Sequence, residues 1–144
     1  MNTQDITHFT DQWLNDVKQA TKAHFINETN VCLATPFTDP FDDQITLLIT
    51  ALGEDYYRVS DQGYTLWNLT TRGISFNEPK ALDLRIEKII RQNHVLLDDN
   101  DDLYVDVSED KVAQGINDVL NSVMQINGFA CSPQETHNKN SCIR

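Results

Sequence analysis

Two strand-like runs joined by short turns stand in the stretch QITLLITALGEDYYRVSDQG, residues 44–63. The run QITLLITAL is β-branched and aliphatic, YYRVS has strand length, and GED between them suits a hairpin. In SDQG, the Asp61 side chain can accept a hydrogen bond from the backbone two residues on, and Gly63 can take a positive φ without steric cost. The pattern predicts antiparallel strands, with Asp61 shaping a turn rather than performing chemistry.

Helix-like periodicity precedes this stretch, and extended chain connects the two. Apolar residues recur at steps of three and four from Ile6 to Ala20, which predicts an amphipathic helix over about Gln4–Ile26. VCLATPF is expected to be extended, because Thr35 precedes a proline and the residue before proline is disfavoured in the helical region. The first half of the chain therefore runs from one helix into a set of strands.

Helix and strand signals alternate in the second half of the chain. YTLWNL is expected to continue as strand or irregular chain up to Gly73. Asn77 as a cap and Pro79 in the first turn predict a middle helix. HVLL and LYVDV flank the acidic tip DDNDD as the arms of a hairpin would. Ser108 is expected to cap a last helix, and Gly128 to end it.

This order of elements predicts an α+β fold. The 144 residues suffice for one well-cored domain and are too few for two comfortable ones. We expect an N-terminal helix, an antiparallel-rich sheet of about five strands, and middle and C-terminal helices packed on that sheet, all within residues 1–128. Residues 129–144 are polar and are expected to form a flexible tail.

The chain is strongly acidic, with 11 Lys and Arg against 22 Asp and Glu and a net charge of −11. Such a surface repels phosphate backbones, so direct binding of nucleic acid is not expected, and it attracts basic partners. The first residues lack the basic start and apolar run of a signal peptide, and no stretch has the roughly 18 apolar residues of a membrane span. We therefore expect a cytoplasmic protein without a membrane partner.

The acids are unevenly placed along the chain. Residues 39–61 hold six against one base, and residues 98–110 hold seven against none. Two solvated turn regions that only keep the protein soluble are one interpretation, and an acidic surface that docks on a basic groove is the other. Five of the eleven bases lie on or near the middle helix: Arg72, Lys80, Arg85, Lys88 and Arg91. The candidate partner-binding residues are Asp39, Asp42, Asp43, Glu54, Asp55, Tyr56, Tyr57, Asp98, Asp99, Asp101 and Asp102.

One acidic segment has nearly the spacing of a calcium loop. From Asp98 to Glu109, oxygen-bearing side chains fall at the ligand positions of an EF-hand, but Leu103 stands where that loop needs glycine. The flanking residues are also more strand than helix, so an acidic hairpin tip is the better interpretation. A closed zinc site is not expected either, because its only candidates in range are Cys131, His137 and Cys142, at long spacings.

A divalent-metal hydrolase or nuclease stays open as an alternative function. Asp43, Asp55 and Asp61 lie at strand ends or turns and could converge on an ion, as paired carboxylates do around magnesium. No Gly-x-Ser-x-Gly elbow, glycine-rich phosphate loop or Cys–His pairing indicates another catalytic class or a nucleotide cofactor. The preferred interpretation therefore has no catalytic residue, no cofactor and no metal.

The string TPFTDPFDDQITLLI, with YYRVSDQGYTLWNLTTRGI after it, resembles the family catalogued as domain of unknown function 1828, small proteins of bacteria, phages and prophages. Ser60 stands where the family pattern has Thr, and both hydroxyls can brace the turn. The resemblance implies a phage or mobile-element association and carries over no reaction. The matching residues are Thr35, Pro36, Phe37, Asp43, Ile45, Asp61, Gly63, Thr65, Leu69, Gly73 and Ile74.

Charge and resemblance together favour a non-enzymatic acidic binding protein of phage or prophage type. It would occlude a basic, nucleic-acid-binding surface of a host protein such as a defence nuclease, in the cytoplasm of the host bacterium. Besides the metal-dependent enzyme, a regulatory or oligomerisation domain is the third hypothesis. In that case the basic side of the middle helix would meet the chain's own acidic turns, and a homodimer is left open.

Overall fold

The computed structural model describes residues 1–131 and holds six strands and four α-helices in that range. In chain order the elements are α1 (Thr3–Ala20), β1 (Lys22–Phe25), β2 (Asn30–Thr38), β3 (Gln44–Gly53), β4 (Tyr56–Ser60), α2 (Tyr64–Thr71), α3 (Leu84–Gln92), β5 (Leu96–Leu97), β6 (Leu103–Ser108) and α4 (Val112–Asn127). Short 3₁₀ turns lie at Lys80–Leu82, Glu109–Lys111 and Gly128–Cys131.

All six strands form one sheet in the order β1-β2-β3-β4-β6-β5, and every neighbouring pair is antiparallel. α4 packs across β4 and β6, and α2 and α3 contact α4. Close packing of helix on sheet is possible because α4 carries Gly115, where an added Cβ would lie 2.9 Å from a methyl of Val105. The core therefore lies between α4 and the middle of the sheet.

The opposite face of β4 and β6 carries a charged contact. Arg58 on β4 donates two hydrogen bonds to Asp106 on β6, at 2.7 and 2.8 Å. Its guanidinium also lies 4.2 Å from the ring centroid of Tyr104. Because these residues alternate with buried ones along each strand, one side of the sheet is apolar and the other is polar, as antiparallel sheets commonly are.

The α+β class, the N-terminal helix and the antiparallel sheet with helices packed on it are confirmed, while the sheet has six strands rather than about five. The extra strand is β1, which the sequence pattern assigned to the end of the first helix. That helix ends at Ala20, because Thr21 leaves the helical region with φ −89° and ψ 128°. Pairing with β2 then holds Lys22–Phe25 extended despite the helical periodicity.

The two helices between β4 and β5 also differ from expectation. YTLWNL, expected to be strand or irregular, forms α2, because Gly63 with φ 75° turns the chain and the Asp61 carboxylate accepts the free amide of Thr65. The middle helix starts later than expected. Its cap is Asp83 rather than Asn77, and the backbone amide of Asn77 itself donates to Asp83 Oδ2 at 2.9 Å.

The first residues of the predicted tail belong to the packed structure. Phe129 and Ala130 are half-buried against the core, and the ring of Phe129 lies 6.1 Å from that of Phe76. The chain therefore stays packed up to the end of the last 3₁₀ turn, Gly128–Cys131. The remainder of the predicted tail, residues 132–144, lies outside the described residues.

Candidate partner-binding surface

Three turns meet at one end of the sheet. β2 ends at Thr38 and the antiparallel strand β3 begins at Gln44, so the connecting turn, the acidic tip 39–43, lies at this end of the sheet. β5 and β6 are joined by the acidic tip 98–102, and β4 ends in the turn 61–63 beside the start of β6. Acids that are about 60 positions apart in sequence are therefore gathered at the same end of the fold.

Asp61 holds this end together. Its side chain is 3% exposed. Its Oδ1 accepts the amides of Gly63 and Leu103, both at 2.9 Å, and its Oδ2 accepts the amide of Thr65 at 3.1 Å. One carboxylate thus shapes its own turn, caps α2 and ties β6 to β4. The structural role predicted for Asp61 is confirmed, and it extends beyond the turn itself.

Burial raises the pKa of Asp61 above its ordinary value, while the hydrogen bonds from Thr65, Leu103 and Gly63 act in the opposite direction. The cavity beside it, which Gln44 and Tyr64 also line, has a volume of about 20 Å³. A space of that size holds about one water molecule. The same three residues also line a more open cavity of about 170 Å³. Both carboxylate oxygens of Asp61 accept hydrogen bonds from backbone amides, so the contacts of Asp61 are structural.

Each acidic tip has a bracing carboxylate of the same kind. Asp39 is 8% exposed, and its Oδ1 accepts the amides of Phe41 at 2.8 Å and Asp43 at 3.0 Å. Asp98 Oδ1 accepts the amides of Asn100 at 2.9 Å and Asp102 at 3.0 Å. These are Asx turns, in which a short acidic side chain satisfies the backbone of its own loop. Of the candidate binding residues, Asp39 is therefore unavailable to a partner, and Asp98 is engaged within its loop.

Two exposed aromatic rings lie at this end, one of them in contact with the acidic tip 39–43. Tyr64 Oη donates to Asp43 Oδ2 at 3.1 Å, and its ring lies 5.8 Å from that of Trp67. On the other side, a Cβ added at Gly63 would lie 2.9 Å from Asp102 Oδ1, so the two acidic tips adjoin the same turn. We call this surface the acidic end. It consists of Asp42, Asp43, Asp99, Asp101, Asp102, Tyr64 and Trp67, all exposed or half-buried.

Like charges crowd this surface. Partial burial raises the pKa of Asp102, and repulsion from Asp98, Asp61 and Asp101 raises it further, against a smaller opposing effect of Arg58. Lys80 Nζ offsets part of the repulsion with ion pairs to Asp101 at 3.1 Å and Glu78 at 2.8 Å. Additional positive charge at this surface would therefore relieve repulsion that the fold leaves in place.

The remaining candidate residues lie elsewhere. Glu54 and Asp55 form the β3–β4 turn at the opposite end of the sheet, next to Tyr56 and Tyr57. There the carbonyl of Asp55 accepts the amide of Glu109 at 2.9 Å. The structure thus splits the predicted set between the two ends of the fold, and only one end combines two acidic tips with an exposed aromatic pair.

The alternative sites are not assembled. Asp43 and Asp61 lie at the acidic end, whereas Asp55 precedes β4 at its far end, so the proposed carboxylate trio does not converge. Within residues 1–131, no three His, Cys, Asp or Glu side chains are grouped to hold a metal ion. Leu103 is fully buried at the start of β6, which leaves the calcium-loop spacing without its loop. His137 and Cys142 lie outside the described residues.

Most bases of the middle region already have partners. Arg85 donates to Asp83 and to the carbonyl of Ser75, and Arg91 pairs with its neighbour Glu87 on the same helix. Arg72 lies over the ring of Phe41 at 3.9 Å. With Lys80 also paired, the basic side of the middle helix has few charges to offer to acidic turns of another copy.

Trp67 is the surface residue that the sequence interpretation missed. A strand-like assignment of YTLWNL alternates its side chains between two faces. In the helix, Leu66 and Leu69 point to the core, while Tyr64 and Trp67 lie on the exposed side, 43% and 59% exposed. The signal for this arrangement was the Asp–x–Gly start, because a helix N-terminus commonly follows an acidic cap.

Within the described residues, no helix has the length and apolar character needed to cross a membrane. No curated protein and no solved structure matches the chain. The family model described as Domain of unknown function DUF1828 matches residues 35–126, from the middle of β2 to the last turn of α4. That range is more than half of the 144 residues and includes all the turns of the acidic end. The chain belongs to the DUF1828 family.

Proposed function

We propose that this chain is a non-enzymatic binding protein, of phage or prophage type, whose acidic end occludes a basic, nucleic-acid-binding surface of a host protein such as a defence nuclease. The observation that supports this function is the meeting of two acidic tips, distant in sequence, at one end of the sheet, with Tyr64 and Trp67 exposed on the helix that starts there. Aromatic anchors surrounded by charge are typical of protein interfaces that combine affinity with fast association.

At the acidic end, buried carboxylates hold the backbone and exposed carboxylates face solvent, an arrangement that supports binding rather than catalysis. The buried Asp61 and Asp39 are used by backbone amides, so they hold the tips in fixed shapes. Asp43 and Asp99 are exposed. A row of fixed carboxylates can follow the positive groove that normally receives phosphates, and such charge speeds encounter most at low ionic strength.

The test compares two double charge reversals that change net charge equally. One variant carries Asp43→Lys and Asp99→Lys at the acidic end, and its matched control carries Glu54→Lys and Glu109→Lys at the opposite end, all at exposed positions. Each variant is immobilised, incubated with bacterial lysate and washed at graded salt. Proteins retained by the wild type and the control, but lost from the acidic-end variant, are the candidate partners.

A captured partner is then tested for nucleic-acid binding with and without the wild-type chain. We expect competition between the chain and the nucleic acid, and an association rate at least about tenfold slower for the acidic-end variant at low salt. Equal capture by both variants would remove the acidic end from the proposal. A partner that binds nucleic acid equally well with the chain bound would contradict occlusion.

A further inference from the structure

The apolar stripe of α1 is left uncovered. Ile6, Phe9 and Trp13 recur on one side of the helix, and they are 56%, 53% and 60% exposed. The helix is otherwise well made, because Asn2 and Asp5 form a capping box with bonds of 2.9 and 3.0 Å. Among the described residues, none buries a side chain of α1 fully. A stable helix with an exposed aromatic stripe is typical of a protein interface.

The strand that follows is uncovered as well. β1 is the edge of the sheet, bonded only to β2 within the described chain, and all four of its residues are exposed. Phe25 is 77% exposed. The family match starts at residue 35, so α1 and β1 lie before the part of the chain that is shared with the family. The exposed apolar residues of α1 and β1 thus lie in a segment that contributes no buried hydrophobic side chain to the described core.

Charge favours a second copy of this chain as the occupant. Residues 1–27 hold three acids and two bases, a net charge of −1, whereas the total is −11, so the remaining residues carry −10. Two copies therefore repel one another least at this segment. Asp11 and Lys18 lie on the side of α1 away from Trp13, so these charges stay in solvent when the apolar stripe packs against a partner.

We propose that α1 is a dimerisation helix whose apolar stripe packs against the same stripe of a second copy, about a twofold axis near Trp13. An aromatic side chain buries about 150–250 Å² in full, and Phe9, Trp13 and Phe25 have between half and about three quarters of their surface still exposed. With Ile6 they can bury roughly 500 Å² per partner, an area at the low end for a specific complex.

The first test measures mass by sedimentation across protein concentration. We expect the full-length chain to move from 16.5 kDa to twice that mass as its concentration rises through about 10 µM, an affinity usual for a modest interface. Phe9→Ser with Trp13→Gln should weaken dimerisation at least tenfold. Trp67→Gln is the matched control, because Trp67 is equally exposed but lies on α2, and it should dimerise as the wild type does. A wild type that stays monomeric at about 100 µM would overturn the proposal.

The second test compares the two sides of α1. Asp11→Ala with Lys18→Ala removes one acid and one base from the polar side and should leave the dimer unchanged, whereas Ile6→Ser on the apolar stripe should weaken it. Loss of the dimer in the polar-side variant would contradict packing through the stripe. Since Trp13 and Trp67 are the two tryptophans of the chain, Trp67→Phe leaves Trp13 as the only one. Its emission should shift to the blue as the dimer forms, and no shift would contradict burial of α1.

These outcomes are independent of the proposed function. The acidic-end reversals leave α1 unchanged, and the α1 variants leave the acidic end unchanged. Loss of dimerisation with normal partner capture, or the reverse, therefore separates the two surfaces. If the α1 variants lost far-UV circular dichroism beyond the contribution of one helix, the uncovered stripe would be part of the fold after all, and the proposal would fail.

Discussion

The parts of the chain before and after residue 35 differ in whether their apolar side chains are buried. Within residues 1–131, all twelve buried hydrophobic side chains lie between Ile45 and Ile126, inside the range matched by the family. The segment before residue 35 adds none of them within the described chain, although it carries Phe9, Trp13 and Phe25. The family region makes its own core, while the N-terminal segment has apolar side chains without a core. Hydrophobic content alone therefore does not show which residues stabilise a fold.

The largest contrast should appear when one aliphatic side chain is shortened in each part. Leu66→Ala removes a fully buried side chain and should lower the free energy of unfolding by about 2–5 kcal/mol, because it leaves a cavity. Ile6→Ala in α1 should change it by less than about 0.5 kcal/mol in protein too dilute to dimerise. Urea unfolding followed by circular dichroism measures both. Similar losses would show that α1 shares the core.

Within the family region, removal of a buried carboxylate should likewise destabilise the protein more than removal of an exposed one. Asp61→Ala leaves the amides of Gly63, Thr65 and Leu103 without their buried acceptor, and it should cost about 3 kcal/mol of unfolding free energy. Asp99→Ala removes an exposed acid and should stay within about 0.5 kcal/mol. If the Asp99 variant proved the less stable one, the distinction between bracing and displayed acids would be wrong.

Lowering the pH should destabilise the protein in part through one buried carboxylate, that of Asp83. Hydrogen bonds from Arg85 lower the pKa of Asp83 to about 2 from 3.8, so its ionised form stabilises the folded state. That stabilisation is complete above about pH 4 and is lost as the pH falls towards 2, an effect of about 2 kcal/mol. Asp83→Asn should be less stable at pH 7 and should lose less between pH 5 and 2 than the wild type. Parallel stability curves for the two proteins would contradict this.

The smallest expected contrast is between two glycines with positive φ. Gly63 has φ 75°, and an added Cβ would come within 3.0 Å of the Asn100 carbonyl and closer still to Asp102. Gly73 has φ 96° and no atom within 4 Å of such a Cβ, so alanine there costs backbone strain alone. Gly63→Ala should therefore be less stable than Gly73→Ala by about 1 kcal/mol. Thermal melts of the two variants give the comparison.

Local patterns predicted the elements whose signals are short-ranged. The strands β3 and β4, their connecting turn and the Asp61–Gly63 bend follow from β-branched runs and turn chemistry within 20 residues. YTLWNL was misassigned because its side chains suit a strand, whereas the cap that makes it helical comes from Asp61, which precedes it. β1 was misassigned because pairing with β2 overrides its helical periodicity, a tertiary effect that a local window does not contain.

The candidate surface was predictable in composition but not in arrangement. The excess of acids in residues 39–61 and 98–110 is plain in the sequence. The sequence does not show which of these acids come together, because the antiparallel order of β4, β6 and β5 decides which tips share an end of the sheet. Nor does sequence separate the buried Asp39 from the exposed Asp43, four residues away. Both distinctions depend on contacts between residues that are far apart in the chain.

The bracing carboxylates have a consequence for how such a protein can evolve. Asp39, Asp61 and Asp98 fix the backbone of their turns, so the fold depends less on the outward side chains that these turns carry. Residues such as Asp99 can be exchanged one at a time without disturbing the frame. Point substitutions at such positions would therefore change the chemistry of this surface while the fold is inherited intact.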